Sequence, residues 1–392
     1  MRSKILFVVD YYQPKLGYGS YYIPKSLAKL GNEVTILTSN FYYPFPKYEE
    51  TAGKILGPRE LKISDTIHNK VRVVRVKLIA EIFTRAIFGG QLKYLKEIKP
   101  EIVIVDKTAS YQAIVFSFLK PFFKYRLVSI DAHLPSGFKA EGNQLAKAIF
   151  YFFFRLFFSK LINKTVDKFI AVQEKTKIIM RKYYGVTKTI KDIPLGTDLD
   201  LFRFDTKSFN FIRKKYSIPN DDFLIIYTGK VIKEKGVDLL FSALNILSAK
   251  KSNIKLMVVG TANSEYEKTC LSKLDNRYHN NVIWAGFQPA KDLYKYYSAS
   301  DVGVWPLQES MSMNDIASCG KPFIANNTIG ARLRLSNNNA LLYKKNDYKD
   351  LAKKIMYLYQ NKKVTTMMGQ RGRELMETKL SWDSIAKQYI TF

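Results

Sequence analysis

Little in this 392-residue chain suits metal or thiol chemistry. It has two cysteines, Cys270 and Cys319, far apart and without a C-x-x-C, which excludes a disulfide framework or a zinc knuckle. Its three histidines, His68, His133 and His279, are too scattered to outline a zinc site, and no H-E-x-x-H occurs. A G-x-x-x-x-G-K-[ST] loop is absent, which argues against a P-loop nucleotidase. Gly17-Tyr-Gly19 follows the first strand-like run but lacks the third glycine of a dinucleotide fingerprint. No stretch approaches the ~18 apolar residues that span a bilayer. The run Ile5 to Val9 is too short for a signal peptide and ends at Asp10, so a reduced-compartment, soluble or peripheral protein is expected. Asp198-Leu-Asp200 has the spacing of a metal-binding D-x-D but reads as turn and cap chemistry.

Acidic residues are also scarce. Against 34 Asp and Glu stand 63 Lys and Arg, a net charge of +29. That balance points to an acidic partner: nucleic acid, anionic lipid or a phosphorylated substrate. A chain-wide enrichment in Lys and Tyr is the competing explanation. The lysines are spread along the chain rather than gathered in a tail, which weighs against nucleic acid.

What is abundant is apolar sequence in short runs. Apolar residues make up 47% and charged residues 25%, a folding composition, and the length suits two domains of roughly 150 residues or more. Strand-like runs at Lys4–Val9, Glu33–Thr38, Val71–Val76, Glu101–Asp106, Arg126–Asp131 and Lys168–Val172 alternate with helical segments such as Tyr21–Leu30. A second series runs through Phe223–Thr228, Ile254–Val259, Val282–Ala285, Val302–Trp305 and Pro322–Ala325, with helices at Val237–Lys250 and Ala290–Ala299. Two βα series joined by Pro194–Asp222 predict two Rossmann-like domains facing each other across a cleft. In such sheets, ligands bind at the carboxyl ends of the strands.

One segment departs from this alternation. Leu145 to Lys164 reads LAKAIFYFFFRLFFSKLINK, with polar positions that include Lys147, Arg155, Ser159, Asn163 and Lys164. Positions 155, 159 and 163 fall on one helical face, and phenylalanines fill much of the remainder. Such a helix suits the headgroup boundary of an anionic membrane; a core helix buried all round is the alternative.

Two stretches carry phosphate-type chemistry. Thr228-Gly-Lys-Val-Ile-Lys-Glu-Lys-Gly236 places Lys230 and Lys235 on a loop at a strand end, a diphosphate site that needs no metal, or else a solvated charge run. Trp305-Pro-Leu-Gln-Glu-Ser-Met-Ser-Met-Asn-Asp315 joins a strand to a helix, and its turn at Ser310, Met311 and Ser312 aims backbone N–H groups at an anion. Glu309 and Asp315 are placed to accept from sugar or ribose hydroxyls. His133, in Ser129-Ile-Asp-Ala-His133, lies just past a strand end as a structural or a functional histidine.

Taken in order, ILFVVDYYQPKLGYGS, LAKLGNEVTILTS, VSIDAH, IPLGTDLDLF, YTGKVIKEKGVDLL, VIWAGF, YYSASDVGVWP, ASCGKPFIA and SWDSIAKQY resemble the retaining group-1 (family 4) glycosyltransferases of GT-B fold. The resemblance implies an acceptor-binding Rossmann-like domain at 1–195, joined by a returning helix near 381–392, and a donor-binding domain at 196–380. It implies that Gly17 approaches the donor phosphates, with Tyr18 where the family has its second glycine and Gly19 one place on. His133 corresponds to the histidine that contacts the transferred sugar. Lys230 stands where the family has Arg, and Lys235 matches its lysine; both, beside Gly229, hold the departing diphosphate. Gly286, Phe287 and Gln288 lie where the base is read, and Asp315 matches the second glutamate of the E-x7-E motif. The first falls on Leu307 by ungapped count, or on Glu309 with a shortened loop. Arg332 and Arg334 stand near where the family carries an acidic residue, hinting at an acidic donor sugar or acceptor.

The expected function is thus a retaining, metal-independent glycosyltransferase. It would use a nucleotide-diphosphate sugar, with no cofactor, and a lipid-linked phosphate or glycan acceptor. It would work peripherally at the cytoplasmic face of the membrane, with the Leu145–Lys164 helix on the anionic surface. A non-catalytic sugar-nucleotide or membrane-binding module and a GT-B nucleotide-sugar epimerase are the alternatives.

Overall fold

Runs of apolar residues covered on both faces build two mainly parallel sheets, as expected where crossover helices flank a sheet. The computed structural model describes residues 2–50, 52–133, 144–261, 264–328, 330 and 332–392; the side chains of Ser264 and Arg332 lie outside the described residues. The chain divides into two compact units, Met1–Leu195 with Trp382–Phe392, and Gly196–Ser381.

In the first unit the strands are β1 (Lys4–Val9), β2 (Glu33–Ser39), β3 (Ser64–His68), β4 (Val71–Val76), β5 (Leu78–Ile82), β6 (Arg85–Phe88), β7 (Ile102–Asp106), β8 (Arg126–Asp131), β9 (Lys168–Ala171) and β10 (Ile190–Asp192). Eight of them form one sheet in the order β10-β9-β8-β7-β1-β2-β4-β3. β3 alone runs antiparallel, against β4, while β5 and β6 make a separate antiparallel hairpin. The sequence pattern passed over both because Ser64–His68 and Leu78–Ile82 are mostly exposed and neither is apolar along its length. The first helix spans Gly19–Lys29, two residues earlier than expected, since extended Tyr18 accepts from the N–H groups of Tyr21 and Tyr22 at 2.9 and 3.2 Å. The returning helix Trp382–Ile390 packs on it: the Trp382 ring stacks on Tyr22 at 5.1 Å, and Lys29 pairs with Asp383 at 2.8 Å.

The Gln144–Thr165 helix has one buried and one open face. Lys147, Tyr151, Phe154 and Ile162 are buried, whereas Leu145, Ile149, Phe152, Phe153, Leu156 and Phe157 are exposed. The polar row is split: Arg155 stays exposed, while Asn163 docks on the protein. Asn163 donates to Gly185 O at 2.9 Å and accepts from the Thr187 N–H at 2.8 Å. A helix buried all round is therefore not what forms, and Lys147 is not a solvated flank.

The second unit is a six-stranded parallel sheet of β11 (Phe223–Thr228), β12 (Ile254–Val259), β13 (Val282–Gly286), β14 (Val302–Trp305), β15 (Phe323–Asn326) and β16 (Ala340–Tyr343), ordered β13-β12-β11-β14-β15-β16. β11, at its centre, is buried at every position. Helices begin at Val237 and Leu293; the latter follows a tight turn at Ala290–Asp292 and so is shorter than expected. The Pro194–Asp222 stretch contains a helix, Thr206–Lys215, capped by Asp205, whose carboxylate accepts from the Ser208 N–H at 2.8 Å.

Candidate active site

At the carboxyl edge of the second sheet, neighbouring strand-end loops bond to one another. The Gly229 N–H donates to Val259 O at 3.0 Å, and the Gly260 N–H to Gly286 O at 2.9 Å. Gly260 has φ of +154°, and a Cβ there would lie 1.9 Å from the Gly229 carbonyl oxygen. Only glycine lets these backbones meet.

Lys230 and Lys235 occupy the loop so held. The turn Lys233–Lys235 ends at Gly236, which starts the Val237–Ser248 helix from a left-handed conformation. A Cβ on Gly236 would sit 2.4 Å from Leu307 Cγ, and the Leu307 N–H donates to Lys235 O at 3.3 Å. The ungapped match for the first glutamate thus packs beside the lysine turn as a leucine. Burial, and then the nearby Lys230 charge, holds the Lys235 ammonium below its ordinary range. Among the described residues, no carboxylate pairs with either ammonium. The structure brings the two lysines together without neutralising them.

Glu309 is turned elsewhere. Its carboxylate accepts from the Gly330 N–H at 2.8 Å and lies 3.8 Å from the buried Arg334 guanidinium. Arg334 also donates to Ser310 O at 3.2 Å, so the Ser310 turn is pinned from behind. Ser310 Oγ accepts from the Ser312 N–H at 3.3 Å, and Met311 O accepts from the Asn314 N–H at 2.8 Å, which starts the short Ser312–Ser318 helix. Asp315 follows, accepting from Thr197 Oγ1 at 3.0 Å. Burial pushes its carboxyl up to about 7, against the Thr197 hydrogen bond and the Arg334 charge. Gly286 ends β13 with φ of +65°, leaving Phe287 exposed, while the Gln288 amide donates to Ala285 O at 2.7 Å. Asp198 accepts from the N–H groups of Asp200 and Leu201 at 3.1 and 3.2 Å, a turn of the kind its spacing suggested.

In the first unit, Gly17 ends a turn at Pro14–Leu16 with φ of +68°. Tyr18 is exposed, and Gly19 begins the helix against Leu195 and Trp382. His133 stands just past β8, its Nδ1 at 2.8 Å from Asp131 Oδ1. The sequence reading missed Thr197 and gave Asp131 no role. Asp131 carried a signal, its D-x-H spacing at a strand end; Thr197 carried none, because its partner Asp315 lies 118 positions away.

A family model described as "Glycosyl transferases group 1" matches residues 208–375, nearly all of the second unit. The second unit is thus similar to the group 1 glycosyltransferases. Among curated relatives of this family, a capsular polysaccharide biosynthesis glycosyltransferase, CapM, of Staphylococcus aureus is 25% identical over 62% of this chain and 66% of its own length. A GDP-mannose-dependent monoacylated alpha-(1-6)-phosphatidylinositol monomannoside mannosyltransferase of Corynebacterium glutamicum is 23% identical over 58% of this chain and 62% of its own. The chain thus matches just under two thirds of the length of these relatives. Sucrose-phosphate synthase from Thermosynechococcus elongatus superposes on 98% of this chain and 97% of its own at a TM-score of 0.66, with 18% identity. That likeness shows the fold, which is GT-B.

Proposed function

We propose that this protein is a retaining, metal-independent glycosyltransferase that moves a sugar from a nucleotide-diphosphate sugar to a lipid-linked phosphate or glycan. The observation that carries the reading is the pair of ammonium groups, Lys230 and Lys235, unpaired at the carboxyl edge of a group 1 sheet. A diphosphate there gains charge as it leaves, and two fixed cations stabilise that charge without a metal. Asp315 takes the ribose hydroxyls, the Gly286–Gln288 turn meets the base, Gly17 approaches the phosphates and His133 contacts the transferred sugar. Retention is taken as same-face attack, with the leaving phosphate accepting the acceptor's proton.

The acceptor is assigned to the cytoplasmic face of an anionic membrane. The open stripe of Leu145, Ile149, Phe152, Phe153, Leu156 and Phe157 supports this, as does the net charge of +29. The relative from Corynebacterium, named for a phosphatidylinositol mannoside, points the same way. No helix among the described residues is long and apolar enough to cross a membrane.

Thermal unfolding with a panel of nucleoside diphosphates and their common sugars, with and without magnesium, tests the donor site. A ligand at 100 times its Kd stabilises by about 2.7 kcal/mol. One base is expected to raise the midpoint without magnesium, and Lys235→Ala to lose the rise. No shift with any nucleotide, in a folded protein, would overturn the reading. A non-catalytic binding module is the second reading, favoured by Leu307 in place of a glutamate and by Glu309 being held on Gly330; a midpoint shift with no turnover would select it.

A further inference from the structure

We infer that Asp131 is a positioning residue that fixes the ring of His133 with its proton on Nδ1, so that Nε2 is presented outward as the atom that meets the substrate. The inference rests on the proposed contact of His133 with the transferred sugar.

Asp131 is the last residue of β8 and is wholly buried. One of its oxygens, Oδ1, accepts from two groups of the same residue, the His133 backbone N–H at 3.0 Å and ring Nδ1 at 2.8 Å. The other, Oδ2, accepts from the Thr108 N–H at 3.1 Å, and Thr108 Oγ1 is itself held by Ser129 Oγ at 2.9 Å. The carboxylate therefore cannot swing away from the imidazole: backbone donors grip both of its oxygens. An ionised carboxylate only accepts, so Nδ1 has to donate. Nε2 has no hydrogen-bond partner among the described residues. The ring keeps about a fifth of its surface open, while Asp131 keeps none. Position, tautomer and exposure follow from one buried carboxylate two residues upstream, on a rigid strand rather than on the loop that carries the histidine. A neutral ring so held offers a lone pair at Nε2, which accepts from a sugar hydroxyl.

The test uses the full chain labelled with ¹⁵N-histidine. Only three histidines contribute, and His133→Ala assigns the signal. Long-range ¹H–¹⁵N correlations are expected to show the Nδ1–H form in the wild type and its loss in Asp131→Asn and Asp131→Ala. With a nucleotide sugar and acceptor that turn over, Asp131→Asn is expected to lower kcat about 10–100-fold, the range for an outer partner that orients an imidazole, with KM little changed. The double variant with His133→Ala should be no slower than His133→Ala alone. An Nε2–H wild-type ring, or a spectrum unchanged in both Asp131 variants, would overturn the inference. Should the Asp131 variants not fold, the wild-type tautomer alone decides it. If the tautomer is as stated but His133→Ala turns over normally, the contact of His133 with the sugar is what fails, and Asp131's role in presenting it to substrate falls with it.

Discussion

In the first unit, Asp10, Asp106 and Asp131 stand at or just past the carboxyl ends of three adjacent strands, β1, β7 and β8. In the second, the corresponding edge carries Lys230 and Lys235. The two edges treat charge in opposite ways. Asp10 pairs with Lys107 at 3.0 Å and Asp131 with His133, while burial pushes the Asp106 carboxyl up to about 6. The lysines have no such partner, and one of them is depressed by burial and by the other. A paired charge holds geometry, whereas two neighbouring cations without a carboxylate partner favour an incoming anion. One edge is therefore suited to orienting a side chain and the other to binding a diphosphate.

The most direct way to break this contrast is Lys235→Ala, expected to lower kcat/KM about 10²–10³-fold, or ~2.7–4 kcal/mol of transition-state stabilisation. Steady-state kinetics check it, and a loss under about threefold would place the diphosphate elsewhere. Next is Gly260→Ala, whose Cβ would collide with the carbonyl of Gly229, the residue that leads into the lysine loop. A cost of about 3 kcal/mol is expected in urea unfolding, from backbone strain plus overpacking. Gly31→Ala, at φ +91° with open space around it, should cost clearly less.

Asp315 gives the comparison a pH axis. Its carboxyl titrates at about 7 in the folded chain, above its ordinary value of 3.8. Between those values the folded state binds the extra proton, so this group's contribution to stability falls as pH rises from about 4 through about 7. Asp315→Asn should flatten that decline in denaturant titrations. If the ionised form accepts from ribose, nucleotide affinity should fall towards tenfold per pH unit below about 7 in wild type, and calorimetric titration reads it. The smallest effect on the fold is expected for Phe152→Ser with Phe157→Ser on the open helix face. Stability should move by about 0.5 kcal/mol or less, while flotation with anionic liposomes at low salt should drop about tenfold or more. Unchanged flotation would remove the membrane reading and leave the donor site standing.

Much of the fold was legible because a parallel strand covered on both faces has to be apolar along its length. Phe223–Thr228 and Arg126–Asp131 could be placed to the residue for that reason. The hairpin of β5 and β6 could not, because its strand Leu78–Ile82 puts Ile79, Ala80, Glu81 and Ile82 alike on the exposed surface, without a period that marks a buried face. The lysine loop was legible from its position after a strand. That Glu309 is held by Gly330 and Arg334 was not, since those contacts span more than 20 positions and depend on how two loops fold against each other.

By itself, the sequence determined most strands of the two mainly parallel sheets and the placing of Lys230, Lys235 and His133 at strand ends or on the turns that follow, with Asp315 in the short helix beyond one of them. These follow from local periodicity and from the chain's direction through a βα unit. Tertiary structure alone decided which charges are satisfied. Asp131 is consumed by His133 and Thr108, the half-buried Asp315 carboxyl is pushed up to about 7, and the Gln144–Thr165 helix docks Asn163 on its own unit. Each outcome depends on burial and on partners far away in the chain, and both exist only once the sheets have closed over their cores.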